Sequence, residues 1–89
     1  MYYVYVLKST KDQRFYIGFT KDLKNRVKEH NAGEVKSTKD RKPMKLIFYE
    51  AFLEKQDALR REGCFKTTKG KKVLRLMLRS FISNSVSSS

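Results

Sequence analysis

Hydrophobic residues form one unbroken run at the start of the chain and shorter, spaced groups after it. Tyr2-Tyr3-Val4-Tyr5-Val6-Leu7 contains no charged position, and β-branched and aromatic residues in such a run suit a strand buried on both faces. Lys8 to Arg14 is polar and reads as a turn, and Phe15-Tyr16-Ile17-Gly18-Phe19 comes next as the second strand of an antiparallel hairpin. Thr20 is the expected N-cap of a helix from Lys21 to Ala32, with Asp22 favouring the helix dipole in its first turn and Gly33 as its stop. Glu34 to Lys42 is a polar, basic loop closed by Pro43, and Lys45 to Phe52 is a third strand. Lys55 to Lys66 has helical composition, although Gly63 weakens it and Leu53-Glu54 offers no clear cap. Thr67 to Gly70 reads as a break, and Lys71 to Ile82 as a last helix with the apolar stripe Val73, Leu74, Met77, Leu78 and Phe81.

This β-β-α-β-α-α order predicts an α+β domain over residues 1–82, a three-stranded antiparallel sheet flanked by helices. The Ser-rich tail, Ser83 to Ser89, is expected to be disordered. Tyr2, Tyr3, Phe15, Phe19, Phe48 and Tyr49 are expected in the core or on sheet faces rather than as platforms for stacked bases. With 89 residues there is material for one domain.

Charge narrows the choice of partner. Twenty-one Lys and Arg against nine Asp and Glu give a net +12, which points to a polyanion, nucleic acid before a membrane surface. No stretch of about 20 apolar residues is present to span a membrane, and the N-terminus lacks the order of a signal peptide, so a cytoplasmic location is expected. The single cysteine, Cys64, has no partner for a disulfide and no ligand-spaced companion for zinc, and reads as filler rather than as a nucleophile.

Two helical patterns carry candidate chemistry. On the first helix Leu23 and Val27 mark the inward side; at 100° per residue His30 falls within about 20° of Leu23, and Arg26 about 60° from it. On the second, Ala58, Leu59 and Phe65 define the apolar side and Glu62 projects between them. A carboxylate aimed at a core costs several kcal/mol unless paired or metal-bound. Helix geometry alone leaves two readings open: a buried Arg26–Glu62 salt bridge with His30 satisfied at the edge, or a reactive site.

These residues resemble a known family. Val4-Tyr5-Val6 stands where GIY-YIG nucleases carry their first strand motif, with Tyr5 the matching tyrosine and Val4 replacing the leading glycine; Tyr16-Ile17-Gly18 is the second motif intact. Arg26 and His30 have the family's Arg-x-x-x-His spacing, Asn31-Ala32-Gly33 is similar to the family's next segment, and Leu59-Arg60-Arg61-Glu62 resembles the metal-binding glutamate segment. The resemblance covers about residues 2 to 72 and is strongest to small single-domain members related to the N-terminal nuclease domain of the bacterial excision-repair incision subunit. It implies an endonuclease that hydrolyses DNA phosphodiester bonds with one Mg²⁺ or Mn²⁺ on Glu62. It further implies Tyr5 as the base for the attacking water, Tyr16 hydrogen-bonding nearby, Arg26 as phosphate clamp and His30 as a proton relay or alternative base. An asparagine that many members carry after the glutamate helix has no counterpart; Lys66-Thr67-Thr68-Lys69 occupies its place.

Contacts with nucleic acid are expected at Gly18, whose missing side chain would admit substrate, at the loop residues Lys36, Lys39, Arg41 and Lys42, and at Lys66, Lys69, Lys71 and Lys72. The rival reading is a non-catalytic nucleic-acid-binding module, or a scaffold within a repair or recombination complex.

Overall fold

The computed structural model describes residues 1–87, in the order β1 (Tyr2–Ser9), β2 (Phe15–Thr20), α1 (Leu23–Asn31), β3 (Met44–Phe52), α2 (Lys55–Phe65), α3 (Thr68–Met77) and α4 (Arg79–Ser87). The strands form one antiparallel sheet in the order β2-β1-β3, the α+β architecture that the sequence predicts. Because β1 is central, both its faces need apolar cover, and Val4, Tyr5, Val6 and Leu7 are all fully buried. Val4 and Val6, with Ile17, meet Ala58 and Phe65 of α2 and Leu74 of α3 on one face. On the other, Tyr5, Leu7 and Met44 pack with Tyr16 and with Leu23 and Val27 of α1. Alternation along β1 therefore assigns α1 to one side of the sheet and α2 with α3 to the other.

Helix α1 begins two residues later than expected. Thr20 is still strand; its Oγ1 accepts from the Asp22 amide at 3.1 Å, and Asp22 becomes the N-cap, its Oδ1 accepting from the Asn25 amide at 3.2 Å. Gly33, with φ of +80°, ends the helix as expected. Asn31 then ties α1 to β3, donating through Nδ2 to the Met44 carbonyl at 2.9 Å and accepting through Oδ1 from the Met44 amide at 2.7 Å. The side chain thus acts as one more strand residue beside β3.

Helix α3 starts at Thr68, inside the segment expected to be a break. Thr67 caps it, donating through Oγ1 to the Cys64 carbonyl at 2.7 Å and accepting from the Gly70 amide at 3.0 Å. Gly70 is buried, and a Cβ there would overlap the Cys64 carbonyl oxygen. Gly70→Ala is accordingly expected to lower stability by about 1–3 kcal/mol through overpacking, read as a reduced urea midpoint at unchanged slope. An unchanged midpoint would show that this junction is not tight.

The single C-terminal helix that the sequence predicts is two helices, α3 and α4, separated at Leu78. Its stripe is also narrower. Leu74 is buried and Leu78 and Phe81 are half-buried, whereas Val73 and Met77 are each 42% exposed. α3 meets the core along the line Gly70–Leu74–Leu78, so the neighbouring apolar positions stay partly open, Met77 with its sulfur 3.7 Å from Arg61 Nη2. Ser83 to Ser87, expected in the tail, are helical backbone in α4; residues 88 and 89 lie outside the described residues. Among the described residues no helix is long and apolar enough to cross a membrane.

Candidate active site

The hairpin places Tyr5 opposite Gly18, and Leu7 opposite Tyr16, on the α1 side of the sheet. A Cβ at Gly18 would overlap the Tyr5 ring and hydroxyl, so the glycine is what lets the phenol lie across β2. This corrects the expectation that Gly18 leaves room for substrate: it is buried, and Tyr5 fills the room. With Tyr5 as the tyrosine of the first motif, the motif's leading position falls on Tyr3 rather than Val4.

Helix α1 delivers two side chains to the Tyr5 hydroxyl. His30 is fully buried, its Nε2 2.8 Å from Tyr5 Oη, and Arg26 donates through Nε to the same oxygen at 3.4 Å. Nδ1 of His30 lies 2.6 Å from Oγ1 of Thr38, which is also fully buried. Burial first, then the Arg26 charge, pushes His30 down to about 4, so the imidazole is neutral at ordinary pH. Since phenol is a far stronger acid than an aliphatic alcohol and its oxygen already accepts from Arg26, Tyr5 donates to Nε2 and Nδ1–H donates to Thr38. Burial raises the Tyr5 pKa above the ordinary 10; the Arg26 hydrogen bond opposes this, while the charges of Tyr16 and Glu62 add to it. Tyr16 joins through its ring, edge-on to His30 at 5.0 Å and tilted 6.4 Å from Tyr5, rather than through the hydrogen bond expected of it.

Glu62 projects from α2, which packs against the opposite side of the sheet. Its side chain is 20% exposed and pairs through Oε2 with Lys66 Nζ at 3.2 Å. It makes no hydrogen bond to the tyrosine cluster, yet its charge reaches Tyr5. Arg26 pairs instead with Glu29 at 3.1 Å, so the buried Arg26–Glu62 bridge left open by helix geometry is not formed. The residue before Glu62 orients the helix: Arg61 grips both Glu50 carboxylate oxygens, at 2.7 and 3.3 Å, and lies over the Phe65 ring at 4.2 Å.

Thr38 and Glu50 carry no signal in the sequence that marks them as part of this region, and Arg61 is marked only as the neighbour of Glu62. Val35, an apolar residue in an otherwise polar loop and here buried, is the one sign that the loop around Thr38 folds inward. The loop is clasped to the β1–β2 turn: Ser9 Oγ donates to the Arg41 carbonyl at 2.5 Å, and Arg41 Nε donates to Asp12 Oδ2 at 2.8 Å. Arg41, expected on nucleic acid, is thereby committed within the protein, and Lys66 is engaged by Glu62. Lys36, Lys39, Lys42, Lys69, Lys71 and Lys72 are exposed.

His30 is the sole histidine of the chain, which makes its burial measurable. Between pH 6.5 and about 4 the unfolded chain binds a proton that the folded one refuses, so stability is full above 6.5 and falls as pH drops, by roughly 3 kcal/mol at pH 4. Urea unfolding of the parent and of His30→Asn across that range should differ in slope against pH; parallel curves would contradict a neutral buried imidazole. Thr38→Val should leave Nδ1 unpartnered, costing about 1–3 kcal/mol. It should also shift the ring-nitrogen NMR signals of His30, whereas Thr38→Ser should restore both.

A family model described as the GIY-YIG catalytic domain matches residues 1–75, and the chain belongs to the GIY-YIG family. Within it, the chain is 50% identical over 66 residues to a UPF0213 protein of Lacticaseibacillus paracasei, 73% of each chain. It is 46% identical over 72 residues to the UPF0213 protein YazA of Bacillus subtilis, covering 80% of this chain and 72% of that one. The solution NMR structure of the UPF0213 protein BH0048 of Bacillus halodurans is similar with a TM-score of 0.54 at 36% identity, covering 86% of this chain and 85% of that one.

Proposed function

We propose that the chain is a divalent-metal-dependent endonuclease that hydrolyses phosphodiester bonds in DNA, selecting structure rather than sequence, in the cytoplasm. The observation that carries this reading is the Tyr5 hydroxyl held between an arginine N–H and the free nitrogen of a neutral histidine. A merely structural buried phenol needs one partner. One set between a proton acceptor and a cation has a partner for its hydrogen and another for the charge of its ionised form, which works against the burial that raises its pKa.

The donor set suits a hard cation that keeps most of its water. Among the described residues no three His, Cys, Asp or Glu side chains converge, and Glu62, with Oε1 left over from Lys66, is the carboxylate at the family's metal-binding position. Mg²⁺ or Mn²⁺ bound through one carboxylate and substrate oxygens fits that set. Such an ion supplies neutralisation of charge at the phosphoryl group. The chain's own residues do the rest. Tyr5 Oη, once ionised, takes a proton from the attacking water, and Thr38 keeps His30 Nε2 turned toward Tyr5 as its hydrogen-bond partner. Arg26 beside Oη favours the phenolate and lies ready for a phosphate oxygen. Few side chains remain for reading bases.

One observation favours a non-catalytic nucleic-acid-binding module instead: Lys66 already sits on Glu62. Incubation with supercoiled plasmid and with branched DNA, in Mg²⁺, in Mn²⁺ and in chelator, separates the two. Nicking in metal that chelator abolishes is expected; binding without nicking under either metal overturns the nuclease reading.

A further inference from the structure

On the far flank of α1 from His30 lies an open groove of about 630 Å³ between that helix and β3. Its walls include Tyr3 and Tyr49, rings edge-to-face at 6.1 Å, and Tyr49 is 53% exposed. Val27 and Leu46 supply apolar lining and Lys24 and Lys28 bring ammonium groups, whereas Lys21, at the edge, holds its Nζ over the Tyr2 ring at 5.7 Å. Asp22 also lines it, but its Oδ1 is occupied in capping α1. Tyr49 thus lies on a sheet face, as expected, but with about half of its surface open.

We propose that this groove binds a single-stranded nucleic acid, a base stacking on Tyr49 while the lysines hold the backbone. A half-exposed aromatic ring with a second ring edge-to-face beside it, next to a cationic rim, has the two features that single strands need and that a duplex with its bases stacked inside does not use. The volume lies within the range of small-ligand pockets, enough for a base. Charge argues against a second copy of the chain, since two molecules of net +12 repel. Tyr49 is also the strand neighbour of Tyr5 in the β1–β3 register, so a strand held here runs close to the tyrosine cluster. The inference deepens the nucleic-acid side of the proposed function without requiring cleavage.

The test is fluorescence anisotropy of a labelled oligothymidylate and of a duplex of equal length, in chelator, with the parent, Tyr49→Ala, Tyr49→Phe and the Lys24→Gln/Lys28→Gln pair. Tyr49→Ala should weaken single-strand binding roughly tenfold and duplex binding far less, while Tyr49→Phe, keeping the ring, should bind like the parent. The lysine pair should flatten the plot of log affinity against log salt by about 0.7 for each phosphate no longer neutralised. Equal binding of the strand by parent and Tyr49→Ala would overturn the proposal, as would equal losses on strand and duplex. So would polyglutamate displacing the oligonucleotide from parent and Tyr49→Ala alike, which would mark the site as one for acidic chains. Metal-free binding keeps the two readings apart: a Tyr49-dependent strand complex that never cleaves sinks only the nuclease, and a nuclease indifferent to Tyr49→Ala sinks only the groove.

Discussion

Tyr5→Phe is expected to cut the single-turnover cleavage rate by about 10²–10⁴-fold, some 3–5 kcal/mol of barrier, with little change in DNA affinity. The ring packs among Leu7, Tyr16 and Leu23 in either residue; the hydroxyl linking Arg26 to His30 is what disappears. The pH profile of the parent separates the two possible bases. A freely titrating histidine would make the rate rise through roughly pH 6–7 and then level. His30, held down at about 4, is already neutral there and adds no step, while Tyr5, raised above 10 by burial, leaves the rate climbing towards alkaline pH. A plateau from about pH 7, or a Tyr5→Phe protein cleaving at the parent rate, would defeat this assignment.

The second large effect is expected at Glu62. Glu62→Gln keeps the shape of the side chain and removes its charge, so cleavage should fall by roughly a thousandfold or more, given that a bound ion contributes several kcal/mol to such a barrier. Folding should change little, since the pair it forms with Lys66 is partly exposed and of a kind worth about 0–1 kcal/mol. DNA binding in chelator should hold or strengthen as Lys66 is released. Manganese binding monitored by electron paramagnetic resonance gives a readout independent of turnover: the parent should take up one ion that Glu62→Gln does not. Equal uptake would move the metal elsewhere.

Much of this is legible in the sequence for simple reasons. An unbroken apolar run has to be a central strand, and Tyr5, Arg26 and His30 converge because strand alternation and helical spacing both point them at one side of the sheet. The hidden parts lie where local signals compete or fall silent. Thr20 and Asp22 are both good caps, and Thr20 loses because β2 still holds it. No glycine or proline marks the interruption at Leu78, where composition is helical on both sides. Thr38 is one hydroxyl in a basic loop, and its value depends on a histidine eight residues away and on a clasp to a distant turn. Pairings of that kind are made by the tertiary fold, not by spacing.

The overlap of Tyr5 with the place of a side chain at Gly18 has an evolutionary corollary. The two positions share a single volume, so they form one inheritance unit. A lineage that keeps the phenol has to keep the hole beside it, whereas a lineage that abandons the reaction is released at both sites together. In relatives, a side chain at the position of Gly18 should therefore accompany a smaller residue at that of Tyr5 and mark a domain that has stopped cutting. A homologue with alanine in place of the glycine, an intact tyrosine and full activity would break the link.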